Sequence, residues 1–393
     1  MEIKNSGNSK IGMITIFSVA AVLFSTHAGG GFATGNQETQ YFVTSGFSGI
    51  ISAVLAMILY TMTIREAIVM KNSRKLKNYK ELFENLYHPF DKVEWIFEIY
   101  FHTMVICAVG AVIAGAASLI AATNLINYIP AVFLISSIFL ILTIFGAKLI
   151  IKVSGVMSIV ILVSMFIIFF IGIKARTPVL METISNFSLT GNSNMGKLIL
   201  KAFVYAGFQA VAIPTMISCG SVLKTEEQAT KAMTIAFVMN CIALVMAVLM
   251  LLAWAPEFIA AGATTLPVLY VCKNLNMTFL YWFYNAALFL CLISTGVSIL
   301  YGFVAKFSTI KVMEKIEKPI VRRIVSSCLC MVVSISISML GLSKIVKYGY
   351  GYCGYLGIAI IIIPFLTVGV YKNRKFTQEK SVENKKSSVI FVK

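Results

Sequence analysis

Charge is what this 393-residue chain has least of, acidic charge above all: Asp, Glu, Lys and Arg make up 12% of it, with 16 acidic residues against 33 basic ones. An ordinary soluble domain carries about twice that share, so a soluble globular class is excluded. There are three histidines and no HExxH, GxSxG or carboxylate cluster in the apolar stretches, which removes the constellations an integral membrane enzyme would need. The eight cysteines show no CxxC spacing and lie mainly in apolar runs, so they read as small hydrophobes rather than a disulfide or metal framework. No ring of filter residues or repeated pore element is visible, which argues against an ion channel.

What is present is apolar. Hydrophobic residues make up 59% of the chain and the mean hydropathy is +0.87, values that place it among all-α integral membrane proteins. A span of about 20 residues crosses roughly 30 Å of hydrocarbon. With that ruler ten spans are expected, at 11–42 (interrupted), 46–68, 93–121, 129–147, 149–173, 199–222 (interrupted), 230–255, 277–305, 321–341 and 350–371. The connection 71–92, with ELFENLY, is expected to form a short amphipathic helix at the interface, and 176–197 a polar outer loop. The stretch 256–276 is expected to be an outer hairpin, and the basic tail 372–393 to be disordered. No separate soluble domain is expected.

The basic residues supply an independent check on the count. With the amino terminus inside, 26 of the 33 Lys and Arg fall on the cytoplasmic side and 7 outside, the bias expected for ten spans with both ends in the cytoplasm. The net charge of +17 is then a topology signal and an affinity for anionic lipid of the bilayer, not a sign of nucleic-acid binding. Cleavage of the first segment as a signal peptide would leave an odd number of spans, so that segment is expected to stay.

Two spans are interrupted. The first runs from Ile11 to Phe24 and then into STHAGGGFATGNQE; Gly29, Gly30 and Gly31 together are expected to cost roughly 3 kcal/mol relative to alanine in a helix interior. Unwound backbone at that depth is tolerated only where protein buries it or where it lines a polar cavity. The sixth span carries Gly207, Gln209 and Pro214, which fit a second break or a plain proline kink. The first and sixth spans hold corresponding places in two halves of five, 11–173 and 199–371. Because five is odd the halves are inverted, the arrangement in which paired broken helices meet at midplane around a binding site.

The run Gly29 to Gly35, GGGFATG, followed by NQETQYF, resembles the GAGFASGQE signature of the bacterial YkvI-like membrane proteins, in the amino acid, polyamine and organocation (APC) superfamily. LPVLYV (Leu266 to Val271) and STGVSILYGF (Ser294 to Phe303) extend the likeness along the chain. The resemblance implies the LeuT fold, five plus five spans, and secondary transport by alternating access. The sequence departs from the signature in carrying His27 beside the glycines and Gln37 where the signature has glutamate, with Glu38 next.

Exposed amides around Gly29, Gly30, Gly31 and Phe32 suit a substrate carboxylate, so a small amino acid or similar zwitterion is the expected substrate. His27 is read as lining the pocket, carrying a proton or bonding a free carbonyl. Phe203, Gly207, Phe208 and Gln209 are the candidate contacts from the sixth span. The carbonyls of Ser25 and Ala28 suit a hard cation, and the resemblance to sodium-coupled members sets Ser294 and Thr295 opposite them as a possible Na+ site; adjacent hydroxyls also commonly bond their own preceding turn. A rival coupling ion is H+: GAKLIIKVSG resembles the fifth span of proton-coupled permeases and puts Lys152 where an ammonium replaces sodium, unless Lys148 and Lys152 merely snorkel at the boundary. Glu94, Glu98 and His102 share a face and read as a solvated vestibule, with a pairing of Glu98 to Lys152 as a further reading. No catalytic residue and no cofactor beyond the coupling ion are expected, and a solute sensor that binds without flux is the alternative to a transporter.

Overall fold

A computed structural model describes residues 12–190, 194–307, 313 and 315–390; side chains at 146–158, 187–190, 381 and 383–390 fall outside the description. Eight helices are long and apolar enough to cross a membrane: Val43–Ser73, Asp91–Ala121, Tyr128–Phe145, Met195–Val222, Glu226–Ala260, Thr278–Phe307, Pro319–Ser338 and Leu342–Lys380. A bent pair, Ile159–Ala175 with Thr177–Asn186 at 76°, adds a ninth. The interrupted first span contributes a shorter apolar helix, Met13–His27, and the chain is a multi-pass membrane protein. The face on which the chain's first helix begins is called the near face below.

The first span consists of α1 (Met13–His27), α2 (Gly30–Ala33) and α3 (Asn36–Tyr41). Helix α1 closes with the Ala28 amide on the Phe24 carbonyl, 2.8 Å, after which Gly29 is extended at φ −79°, ψ −164°. Gly35 joins α2 to α3 at φ +77°, and a Cβ there would lie 2.7 Å from Val268 Cγ2, so only glycine suits this corner. The residues pressing on it belong to a short helix, Pro267–Asn274, with Val268, Val271 and Cys272 buried. Within 256–276 this helix replaces half of the expected hairpin, and the preceding span keeps Pro256 inside its last turns, ending at Ala260.

The sixth span is α4 (Met195–Gln209), a 3-10 turn at Ala210–Ala212, and α5 (Ile213–Cys219). Its interruption therefore sits three residues beyond Gly207, and Pro214 opens α5, where its missing amide costs nothing within the helix. Gly207 has a different task. A Cβ there would overlap the Gly354 carbonyl, one at Gly357 would overlap Gly207, and one at Gly354 would lie 2.5 Å from the Val204 carbonyl. These glycines let α4 and the last span touch backbone to backbone, the small-residue contact that membrane helices use when lipid offers no hydrophobic drive.

Peripheral expectations need three corrections. The segment 176–197 is largely helical at Thr177–Thr190 rather than an open polar loop; Arg176 folds back onto Glu257 at 3.1 Å and over the Trp254 ring at 4.7 Å. The amphipathic helix Tyr79–Tyr87 forms, but it docks on protein rather than lying on lipid: Phe83 stacks on Phe97 at 3.8 Å, and Tyr87 donates to the Ile360 carbonyl at 2.6 Å. The tail continues the last span as helix through Ile390. Its first turn is anchored by Arg74, which donates to Asn373 (2.8 Å), and by Lys372, which donates to the carbonyls of Asn85, Leu86 and His88.

Candidate functional site

The gap between α1 and α2 opens into a cavity of about 390 Å³. Four spans complete its wall: Asp91–Ala121 (Phe101, Met104, Val105, Ala108), the sixth (Phe208, Gln209, Ala212, Thr215), Thr278–Phe307 (Leu292, Thr295, Ser298, Phe303) and Leu342–Lys380 (Val346, Tyr350). From the first span come Thr26, His27, Gly29, Gly30, Gly31, Phe32, Thr34 and Gln37. The amides of Gly30, Gly31 and Phe32 precede the first hydrogen bond of α2, Ala33 N–H to the Gly29 carbonyl, and so have no partner inside the helix. They border a largely apolar chamber.

Packing holds the glycines in place. A Cβ on Gly30 would approach Leu292 Cδ2 to 2.9 Å, and one on Gly31 would overlap the Gln37 amide. Gln37 therefore reaches over α2 into the cavity, where its Oε1 accepts from Gln209 Nε2 at 3.4 Å. Around Gly29 three oxygens gather: the carbonyls of Ser25 and Thr26 and the Thr295 hydroxyl, each 3.9 Å from where a Cβ would stand. Ser294 Oγ donates to the Cys291 carbonyl at 3.0 Å, the local bond that adjacent helical hydroxyls favour.

The structure therefore gathers His27, Gly29, Gly30, Gly31, Phe32, Phe208, Gln209 and Thr295 about one cavity. Ser25 contributes its carbonyl, and Ala28 lies buried beside it. Phe203, Gly207 and Ser294 do not line it, and Gly207 serves helix packing instead. Lys152 lies outside the described side chains. Glu98 pairs with Lys306 at 2.5 Å, near His102, while Glu94 pairs with Lys80 at 3.4 Å.

Gln37, Tyr350 and the apolar face of Asp91–Ala121 escaped sequence reasoning. The face Val105, Ala108 and Val112 looks like any buried helix side. Tyrosines inside apolar spans were the available signal, because buried hydroxyls need partners. Tyr100 donates to the Gly207 carbonyl at 2.6 Å, Tyr284 to the Ala33 carbonyl at 2.6 Å, and Tyr41 to the Val346 carbonyl at 3.0 Å. The first two satisfy carbonyls beside the two breaks, and the third ties α3 to the last span.

The two ends of the cavity differ. Toward the near face it runs past Phe101, Gly302 and Phe303 to the Glu98 and Lys306 pair, where the Lys306 ammonium also lies 4.4 Å from the Tyr79 ring centre. Toward the far face, fully buried Asn36 donates to the carbonyls of Thr264 (2.9 Å) and Thr265 (3.2 Å) and to the Ser343 hydroxyl (2.9 Å). One side chain thus ties α3, the loop before Pro267–Asn274 and the last span together.

No family model matches the chain, and no curated protein matches its sequence. Solved structures do match its fold. MhsT in complex with L-phenylalanine is similar at TM-score 0.56 and 16% identity, over 90% of this chain and 89% of that one. A manganese transporter from Eremococcus coleocola gives 0.56 and 14%, over 92% and 81%. A Na+-coupled sialic acid symporter in a substrate-bound outward-open state gives 0.51 and 12%, over 91% and 97%. At such identities the likeness establishes the LeuT fold, with its first and sixth helices discontinuous, and no more than the fold.

Proposed function

We propose that the protein is a secondary active transporter of a small amino acid or related zwitterion, driven by a cation gradient and working by alternating access. The observation that carries this reading is the break at Ala28 and Gly29, which presents unpartnered backbone groups to a chamber of about 390 Å³ at the meeting point of five spans. That size lies within the range of small-ligand sites. The amides of Gly30 and Gly31 suit a carboxylate, Gln37 and Gln209 offer amide oxygens to an ammonium, and Val105, Ala108, Phe208 and Leu292 suit an apolar side chain. No Asp or Glu lines the chamber among the described residues, nor does the stretch 146–158 contain one. That weighs against a divalent metal as cargo, which would need hard anionic ligands. The fold neighbours support the reading as a class, since they include a Na+-coupled symporter and a protein holding an amino acid.

Sodium coupling is supported by the oxygens of Ser25, Thr26 and Thr295 about Gly29, and the halves 11–173 and 199–371 are read as inverted repeats that rock about them. The excess of Lys and Arg on the near face supports a cytoplasmic near face in a bacterial membrane, with both termini inside. The direct test is thermal unfolding of the purified protein against each amino acid, with and without sodium, followed by uptake into proteoliposomes. A true substrate at 100 times its dissociation constant adds about 2.7 kcal/mol. Absence of any shift across the amino acids overturns the substrate class, and stabilisation without uptake identifies a sensor.

A further inference from the structure

Behind the cavity, on the side of α1 and α3 turned away from it, lies a polar cluster that substrate binding does not use. Glu38 on α3 is 0% exposed, and neither carboxylate oxygen has a hydrogen-bond partner. Three more side-chain atoms nearby are also buried and unpartnered: Tyr60 Oη, Asn240 Oδ1 and His27 Nδ1. The groups are connected. His27 Nε2 and the Tyr205 hydroxyl are 2.9 Å apart, Asn240 lies within reach of the His27 ring, and Tyr205 lies beside Glu38, Tyr60 and Gln209. His27 and Gln209 are cavity residues, so Glu38 stands one side chain, Tyr205, behind the cavity wall.

We propose that Glu38 binds and releases a proton during the transport cycle, exchanging it with the cavity by way of Tyr205. The proposal rests on the transporter reading above and holds whichever cation fills the oxygens about Gly29. Its physical basis is the absence of compensation. A carboxylate at zero exposure without a hydrogen bond or a counter-charge is among the costliest groups a protein can bury, whereas the neutral acid has a donor and an acceptor to place. The titratable groups facing Glu38 are Tyr205 and Tyr284, with Tyr41, Tyr60 and His27 behind the first and Cys272 and Cys291 behind the second. None of these brings a fixed charge. On the other elements packed against α3, Lys344 and Lys347 are exposed and Glu257 is occupied by Arg176. The negative form therefore has no place in this conformation, and it gains one when rearrangement of α1 and α3 admits water. Balance is simple: one O–H bond forms at Glu38 and one breaks at a cavity hydronium on loading, with the reverse on release.

The test compares wild type, Glu38→Gln and Glu38→Asp reconstituted into liposomes that contain the pH dye pyranine. An equimolar mixture of the twenty amino acids is added outside. Wild type is expected to change the internal pH, Glu38→Gln to fall to the level of protein-free liposomes, and Glu38→Asp to retain a measurable response. A packing role predicts the opposite order, since Gln keeps the volume of Glu while Asp leaves a void, so that order overturns the proposal, as does a Glu38→Gln response equal to wild type. Infrared spectra of the same proteins at neutral pH form the second arm. A protonated-carboxyl band present in wild type and missing in Glu38→Gln supports the assignment, and a spectrum unchanged by Glu38→Gln overturns it. If wild type takes up amino acids from this mixture without changing the internal pH, the proposal fails and the amino-acid reading stands; if it moves neither, the amino-acid reading fails, and the infrared band alone decides whether Glu38 holds its proton.

Discussion

An alanine scan of the four glycines of the first break separates conformational cause from packing cause, because each faces a different obstacle. At Gly29 the backbone is extended and the nearest atoms stand 3.9 Å from a Cβ. Alanine fits there, and by narrowing the unfolded ensemble it adds about 0.4–1 kcal/mol. At Gly30 the gain in helix propensity, about 0.5–1 kcal/mol, is opposed by contact at 2.9 Å with Leu292 Cδ2 and at 3.4 Å with Leu292 Cα. Such overpacking costs about 1–3 kcal/mol, so the net effect is mild destabilisation and a cavity narrowed where the substrate is read to lie. At Gly31 the obstacle is the flexible end of Gln37, which can swing away; stability changes little, but Gln37 leaves the cavity. At Gly35 both penalties apply: the left-handed backbone costs about 1–2 kcal/mol, and the contact at 2.7 Å with Val268 adds about 1–3 kcal/mol of overpacking. Thermal unfolding in detergent should rank the variants Gly29→Ala, Gly31→Ala, Gly30→Ala, Gly35→Ala from most to least stable. Amino-acid-dependent stabilisation should be weakened at Gly30 and Gly31 beyond what their stability explains. A Gly29→Ala variant less stable than Gly35→Ala would show that the break is not built as described.

Other consequences follow from single contacts. Tyr205→Phe strips the 2.9 Å partner from His27 Nε2 in a site where His27 is 3% exposed; thermal unfolding should report a loss of about 1–3 kcal/mol. Lys306→Met removes the pair with Glu98, whose side chains are 35% and 28% exposed, so stability should change by only about 0–1 kcal/mol. The near-face end of the cavity should open more often, seen as faster maleimide labelling of Gly302→Cys in a cysteine-depleted background; Gly302 has open space around it. Lys372→Met withdraws three donors from the carbonyl end of Tyr79–Tyr87, a loss of about 0.3–1 kcal/mol, and hydrogen exchange should rise in 79–88 while the spans stay protected. Thr295→Val should reduce sodium-dependent stabilisation if the oxygens about Gly29 hold that ion, and unchanged sodium dependence would remove Thr295 from the set.

The spans were legible in the sequence because burying backbone in lipid leaves a chain few options. Long apolar runs must be helices, and their expected boundaries fall within a few residues of the observed ones, apart from the fifth, which bends and runs on to Asn186 rather than ending near 173, and the last, which runs from Leu342 to Lys380 rather than 350–371. Its early start was hidden by Lys344 and Lys347, which read as loop but point outward. The first break was legible for the same reason, since three glycines have no other explanation in a membrane helix. The second was only half legible. Gly207 draws attention as a helix breaker, but its cost is offset by packing on Gly354 and Gly357, almost 150 residues away in sequence, and no local pattern announces that. Lys306 escaped for a similar reason: its pairing with Glu98 spans 208 positions, and charge counting treated it only as a marker of topology.

The positions of the tyrosines explain how two breaks can share one site. Unwound backbone in a membrane needs donors for its freed carbonyls, and water would supply them at the expense of an open path. Tyr284 serves Ala33 beside the first break, and Tyr100 serves Gly207 and Phe208 beside the second, so both are held without water at those points. Tyr205 then links the two directly, because its hydroxyl meets the last residue of α1 while its own helix ends four residues later. A displacement of α1 relative to the sixth span has to break that contact. Among the described residues, five of the twelve buried side-chain atoms left without partners, on His27, Glu38, Tyr60 and Asn240, gather around this one contact, and the other seven are scattered through the fold. The least compensated part of the core is therefore the seam between the two broken helices, which is where a structure that alternates between two states has to be easiest to open.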